Sequence, residues 1–319
     1  MGLLAAAMEA IFNIVLPVFA IMGCGYAVGR AGLLGEQASG ALNAFVFYVA
    51  LPALFFGTMA QLELSQVFHW PFILAFGGGL IGTFGLALLV AAFVFPGRLA
   101  ILTLHGAAAI FSNTGYMGVP LLLIAYGPAG LPAGIISTVI TGVVVMAVAT
   151  VLIELDGNGD EAAGQLAKNA FAAVIKSPLL LSALAGILWA WSDVPLPAPI
   201  VRFCDLMGST AGPCALFAMG LFMVGKSLTA GIGEVGWLSL LKLLVMPAVT
   251  YWLAFHVMEM ETLWAQSAVI QAALPTGALV FVLAHRYGLY IQRATAAIVI
   301  STLLSIGTLS ALFIYFGVG

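Results

Sequence analysis

The sequence predicts an all-α polytopic membrane protein of ten transmembrane helices, built as two inverted five-helix repeats with broken, crossing helices 4 and 9. Three observations predict it. Hydrophobic residues make up 63% of the chain and charged residues 7%, with a mean hydropathy of +1.19, more apolar surface than a water-soluble domain of this length can bury. Apolar stretches bounded by charge, proline or glycine recur at about the 20 residues that a bilayer's hydrocarbon core requires. The same landmarks then occur twice, 161 residues apart: Pro17 and Pro178, Gly25 and Gly186, Pro52 and Pro213, and Tyr126-Gly127 and Tyr287-Gly288.

The stretches fall at 8–29, 39–60, 69–95, 100–126, 132–154, 177–192, 201–226, 235–257, 263–286 and 291–317. Only Pro96, Gly97 and Arg98 separate the third from the fourth. Continuous rather than alternating apolarity argues against a β-barrel. Arg30, Arg98, Lys168, Lys176, Lys226, Arg286 and Arg293 all lie at odd-to-even connections, and Arg202 lies on the other side. The excess of positive charge marks the cytoplasmic face, so both termini are expected to be extracytoplasmic and the loop between helices 5 and 6 cytoplasmic. The first span has no basic flank before it and no small-residue cleavage site, which predicts a retained helix rather than a signal peptide.

Each half then has an odd number of spans, so residues 177–319 must sit upside down relative to residues 1–155. The linker, 156–176, opens with Asp156-Gly157-Asn158-Gly159-Asp160. A calcium loop is excluded, because its sixth position is Glu161 instead of Gly and its twelfth is Ala167 instead of Glu. Leu166, Ala167, Ala170, Phe171, Val174 and Ile175 follow at helical spacing opposite Gln165, Lys168 and Asn169. That pattern predicts an amphipathic helix lying on the lipid interface.

The net charge of -3 suggests no nucleic-acid partner. Cys24, Cys204 and Cys214 lack metal-ligand or disulfide spacing and are expected to pack as small residues. Nothing resembles a hydrolase elbow, a phosphate-binding loop or a zinc cluster, so neither an enzyme, a metal centre nor a cofactor is expected. Glycines within spans, such as Gly25, Gly77, Gly78 and Gly79, suit close helix packing in lipid.

Two spans carry polar residues and helix breakers in their interior. The fourth reads Ser112-Asn113-Thr114-Gly115-Tyr116-Met117-Gly118-Val119-Pro120, and the ninth reads Gln271-Ala272-Ala273-Leu274-Pro275-Thr276-Gly277. Proline lacks an N–H and clashes with the preceding turn, so Pro120 and Pro275 are candidate helix breaks. The repeat offset aligns Thr114 with Pro275, which moves the expected break of the fourth span to Asn113–Tyr116. Paired broken helices in an inverted repeat point to a transporter whose half-helix N-termini face an anion near the midplane. The candidate substrate residues are Asn113, Thr114, Gly115, Tyr116, Gln271, Pro275, Thr276 and Gly277, with exposed amides near Gly115 and Gly277 as donors. Ser137 and Thr141, and Ser301, Thr302 and Ser305, supply hydroxyls from neighbouring spans; these either bond their own helix carbonyls or ring the substrate and a coupling ion. Lys242 is expected to snorkel, and His105 and His285 to serve as structural or interfacial residues near span ends.

As a set, Phe111-Ser-Asn-Thr-Gly-Tyr-Met-Gly-Val-Pro-Leu122, Tyr126-Gly127, Leu274-Pro-Thr-Gly277, Tyr287-Gly288 and Ile300-Ser-Thr-Leu-Leu-Ser305 resemble the auxin efflux carrier family, which includes plant PIN exporters and malonate or malate permeases. The chain looks like a bacterial member, which implies the inner membrane. The resemblance implies a scaffold of helices 1, 2, 6 and 7 bearing the landmarks Pro52 and Pro213. It further implies an elevator-like transport domain of helices 3–5 and 8–10, and a homodimer through the scaffold. Thr276 stands where plant exporters have a second crossover asparagine, which puts an auxin substrate in doubt. The fold is also similar to that of bile-acid sodium symporters, whose ion ligands would map to Ser112, Asn113, Ser137, Thr141 and Gln271. Gln271 replaces an acidic ligand there, which weakens the case for sodium. The expectation is secondary active transport of a small organic anion, a mono- or dicarboxylate with auxin-like carboxylates included, its driving force open between H+, Na+ and the membrane potential. A channel, a ligand-binding membrane receptor and a sodium symporter are the alternatives.

Overall fold

A computed structural model describes residues 11–62, 69–158, 176–226 and 229–318. The expected interfacial helix of the linker lies outside these residues. Among the described residues the chain is helical and holds no named strand. Seven helices are long and apolar enough to cross a membrane, and Leu99–Ile110 and Pro178–Trp191 are shorter apolar helices.

We number the helices α1 (11–30), α2 (36–59), α3 (Trp70–Val94), α4 (Leu99–Ile110), α5 (114–126), α6 (127–158), α7 (Pro178–Trp191), α8 (198–223), α9 (232–257), α10 (Thr262–Ala273), α11 (Leu279–Tyr287) and α12 (Ile291–Phe316). Predicted span 4 is thus α4 plus α5, and predicted span 9 is α10 plus α11. Between α5 and α6 the chain reverses at Gly127, whose φ of 63° is in the region that glycine adopts without a Cβ penalty.

Prolines shape these helices without ending them. Four π-helical turns, Ile11–Val15, Val46–Ala50, Thr114–Gly118 and Leu241–Val245, each stop two residues before a proline: Pro17, Pro52, Pro120 and Pro247. A proline inside a helix leaves the carbonyl four residues back without a donor and crowds it with its ring. Widening the preceding turn by one residue relieves that crowding. The expectation that Pro120 breaks span 4 is therefore corrected. Pro120 lies near the start of a regular helical stretch, and the non-helical residues are Phe111–Asn113.

Two sets of helix contacts stand out, with further contacts between them. Within the first, α1 lies against α8 and α2 lies against α7 and α8. The approach of α1 to α8 is close because glycines face each other. A Cβ on Gly25 would strike the Phe217 carbonyl, and one on Gly220 would strike the Met22 carbonyl. In the second group α3 packs on α4, α9 and α10, α6 packs on α4, and α12 packs on α9 and α11. The buried core runs across both sets. One cluster joins Val46, Phe55, Leu179 and Ala215 to Val119 of α5 and Ile135 of α6. The larger one joins Phe72, Leu104, Ile270 and Ile298 to Val18 and Met22 of α1 and Met219 of α8.

Candidate functional site

The two breaks meet. The Asn113 N–H donates to the Pro275 carbonyl at 3.0 Å and the Gly277 N–H donates to the Phe111 carbonyl at 2.8 Å, so that Ser112 and Thr276 form an isolated antiparallel bridge. This satisfies backbone groups that the missing helical turns leave open. Buried backbone polar groups at membrane depth require such partners. The preceding half-helices end at Ile110 and Ala273, so the break in span 4 begins earlier than the 161-residue offset places it.

Beside the bridge is a cavity of about 210 Å³. The first break contributes Phe111 to Tyr116 and the second contributes Gly277 to Leu279, Phe281 and Val282. Thr138, Thr141 and Gly142 come from α6, Asn43, Phe47 and Leu51 from α2, Leu179 from α7, and Met219 and Phe222 from α8. The cavity therefore lies between the two helix groups. Among the described residues, no charged side chain lines it.

Its polar groups are few and well defined. The Asn113 side chain is 6% exposed, lines the cavity and has no hydrogen-bond partner among the described residues. The first-turn amides of a helix have no intrahelical acceptor. At the start of α5 the Thr114 N–H bonds the Ser112 carbonyl, leaving the amides of Gly115 and Tyr116 as donors. At the start of α11 the amides of Ala278 and Leu279 are in the same position, since the first bonds run from Val280 and Phe281. The donors expected near Gly277 are thus the amides of its two successors, because the Gly277 N–H itself donates to the Phe111 carbonyl. Thr114 and Thr141 share a hydrogen bond of 2.8 Å, and the Thr141 hydroxyl also donates to the Ser137 carbonyl at 2.7 Å.

Of the remaining expected site residues, Ser137, Gln271, Pro275 and Thr276 lie off the cavity, and Ser112 lines it. Thr276 Oγ1 donates to the Ala108 carbonyl at 2.9 Å and the Thr276 N–H donates to Ser301 Oγ at 3.0 Å. Thr276 thus ties the break to α4 and α12, and Pro275 contributes its carbonyl to the bridge. The Ser137 hydroxyl donates to the Ala133 and Gly134 carbonyls of its own helix. The Gln271 amide is fully buried without a hydrogen-bond partner, as is the Ser112 hydroxyl. Of the expected ion ligands, Ser137 and Thr141 donate their hydroxyl protons to carbonyls of their own helix, whereas the Ser112 and Gln271 side chains have no partner among the described residues. Gln271 fills the space over Gly118, where a Cβ would collide with its Oε1.

One ionisable residue departs from expectation. Lys242 does not snorkel. It is fully buried, and its Nζ donates to the Ala272 carbonyl at 2.6 Å. His105 takes the structural of its two expected roles, buried with Nδ1 2.7 Å from Glu234 Oε1. Glu234 also accepts from Tyr290 and pairs with Arg293 at 2.9 Å. Burial first, and then the bond to Glu234, push the Tyr290 phenol far above its ordinary pKa, so it remains a donor. His285 is exposed at the end of α11, as expected.

Asn43 and the aromatic walls Phe222 and Phe281 were not singled out from sequence. A lone amide in the apolar run of α2 was the available signal for Asn43. The phenylalanines are indistinguishable in sequence from core residues.

Residues 10–314 match the family model described as "Membrane transport protein". A "Putative malonate transporter" from Rhizobium meliloti (strain 1021) is 32% identical over 306 residues, covering 96% of this chain and 95% of that protein. "Auxin efflux carrier component 1" from Arabidopsis thaliana is 26% identical over 140 residues, 42% of this chain and 22% of that one. The mouse "Lysosomal cholesterol signaling protein" is 25% identical over 318 residues, 92% of this chain and 36% of its own. The match spans α1 to α12 and includes both breaks. The chain belongs to the membrane transport protein family, of the auxin efflux carrier type.

Proposed function

We propose that the protein is a secondary transporter that carries a small organic anion, of the mono- or dicarboxylate class, through the crossover of spans 4 and 9. The observation that carries this reading is the uncharged cavity beside the Ser112–Thr276 bridge, which two helix starts and the Asn113 amide supply with donors. Helix N-termini carry partial positive charge, and their free amides bond an anion without a basic side chain. The name of the Rhizobium relative agrees with a dicarboxylate such as malonate.

The cavity lies where the two helix groups meet, which supports alternating access by an elevator movement. The group of α3–α6 and α9–α12 would slide along α1, α2, α7 and α8 with the crossover on board. In this reading ten spans form two inverted repeats, with both termini extracytoplasmic in the plasma membrane. Protomers would pair through the α1, α2, α7 and α8 group.

Purified protein in liposomes should take up labelled malonate, malate or an indole carboxylate with saturable counterflow, and Asn113→Ala should lower flux at least tenfold. Flux unchanged by that substitution refutes the site. Uptake without counterflow makes the protein a channel, and binding without uptake makes it a receptor.

A further inference from the structure

Lys242 is the most anomalous charge in the molecule. It is fully buried, and no carboxylate pairs with it among the described residues. Its Nζ donates to the Ala272 carbonyl at 2.6 Å and lies 3.5 Å from Met246 Sδ. Ala272 is one residue before the end of α10, the half-helix that stops at the break. The carbonyl end of a helix carries partial negative charge, and Lys242 Nζ donates where the broken span is most negative. Its own backbone lies in the π-helical turn Leu241–Val245, ahead of Pro247.

The charged and titratable groups on the elements packed against this turn are remote from Nζ in bonding terms. His105 on α4 and Arg293 on α12 both pair with Glu234 on α9, and Tyr251 on α9 bonds Tyr315 on α12. Neither α3 nor α10 carries an acidic or basic residue. An intramembrane charge is costly and persists where it has a partner or a function. One carbonyl is a weak partner for a whole positive charge.

We propose that Lys242 is a tethered cation that serves the crossover in place of a diffusible metal ion, its missing counter-charge being the carboxylate of the transported anion. This deepens the functional reading above and rests on it. A cation fixed to α9 travels with α10 and α11 when they move, so one carboxylate of the load crosses the membrane compensated without a sodium ion. In the low-dielectric interior such a charge attracts an anion without touching it. Lys242 is thus a positioning residue rather than a substrate ligand.

Labelled malonate uptake into proteoliposomes tests this. Wild-type uptake should be equal in sodium chloride and choline chloride. Lys242→Met should raise KM for malonate about tenfold or more, with Lys242→Arg retaining more affinity than Lys242→Met. Where Lys242→Met fails to fold, Met246→Glu decides, because it gives the ammonium an internal carboxylate one helical turn away and should weaken malonate uptake by a similar factor. Sodium-dependent wild-type uptake, or a wild-type KM in whichever of the two variants folds, overturns the proposal. If the wild type moves no carboxylate, the functional reading fails, and melting in detergent then decides the tethered cation. Equal melting temperatures in the two salts support it, and stabilisation specific to sodium overturns it.

Discussion

Ser112 and Thr276 face each other as a two-residue antiparallel bridge, the one place among the described residues where backbone pairs across helices in strand-like fashion. Helical proteins in membranes keep their hydrogen bonds within segments because lipid offers none. Here two segments are open at the same depth, and each closes the other. A static tie of this kind makes the crossover rigid, so substrate affinity depends on what faces the cavity beside it.

Thr276→Val separates support from binding. The substitution removes the bond from Oγ1 to the Ala108 carbonyl, and a buried hydrogen bond of this type contributes about 1 kcal/mol. Thermal stability in detergent should fall by a corresponding few degrees, with KM for the transported anion within twofold of wild type. A tenfold rise in KM would return Thr276 to the binding surface.

Glu234→Ala strands its partners. His105 and Tyr290 would be left buried beside an apolar methyl group, and Arg293 would lose its ion pair. Breaking buried pairs costs about 3–5 kcal/mol, and Arg293, 48% exposed, can turn to water, so a loss of roughly 2–3 kcal/mol is expected. Melting of the variant against wild type checks it, with Glu234→Gln expected to recover part of the loss through its remaining acceptor.

Gly220→Val should be severely destabilising, because the new side chain would enter the backbone of α1 at Met22 and Tyr26. Overpacking typically costs about 1–3 kcal/mol, and backbone neighbours place this site at the upper end. Reduced yield of monodisperse protein on size exclusion reports the effect. Gly233→Ala, at a glycine with open space around it, should behave as wild type.

His69 sets a pH dependence outside the spans. Its Nδ1 accepts the Phe72 N–H at 3.1 Å and caps α3, while its ring stacks on Trp264 at 4.2 Å between centroids. Burial holds the imidazole below its ordinary pKa, against the raising effects of its backbone bond and of Glu261. The unfolded chain then binds the proton more readily, so this contribution is complete above about pH 6.5 and declines as pH falls towards the lowered folded value. Melting temperature should drop slightly from pH 7.5 to 5.5 in wild type, and His69→Asn, which keeps a cap acceptor, should flatten that part of the profile.

The sequence by itself determined the helical membrane class, the family and which two spans are interrupted. Composition, span length and proline and glycine spacing are local properties, and they are sufficient where lipid forbids other backbone arrangements. Asn113, Thr114, Gly115 and Tyr116 were legible because a polar run inside an apolar span stands out. Tertiary structure decided which polar groups face the cavity. Thr276 and Ser137 carry hydroxyls as promising in sequence as that of Thr114, yet each bonds a carbonyl away from the cavity. Pro120 reads as a breaker like Pro275, but a π-helical turn absorbs it. Lys242 reads as a span-end lysine, and only the placement of α10 beside its turn shows the ammonium on the Ala272 carbonyl. Hydrogen bonding between helices depends on which faces meet, and a one-dimensional pattern of residue types does not contain that relation.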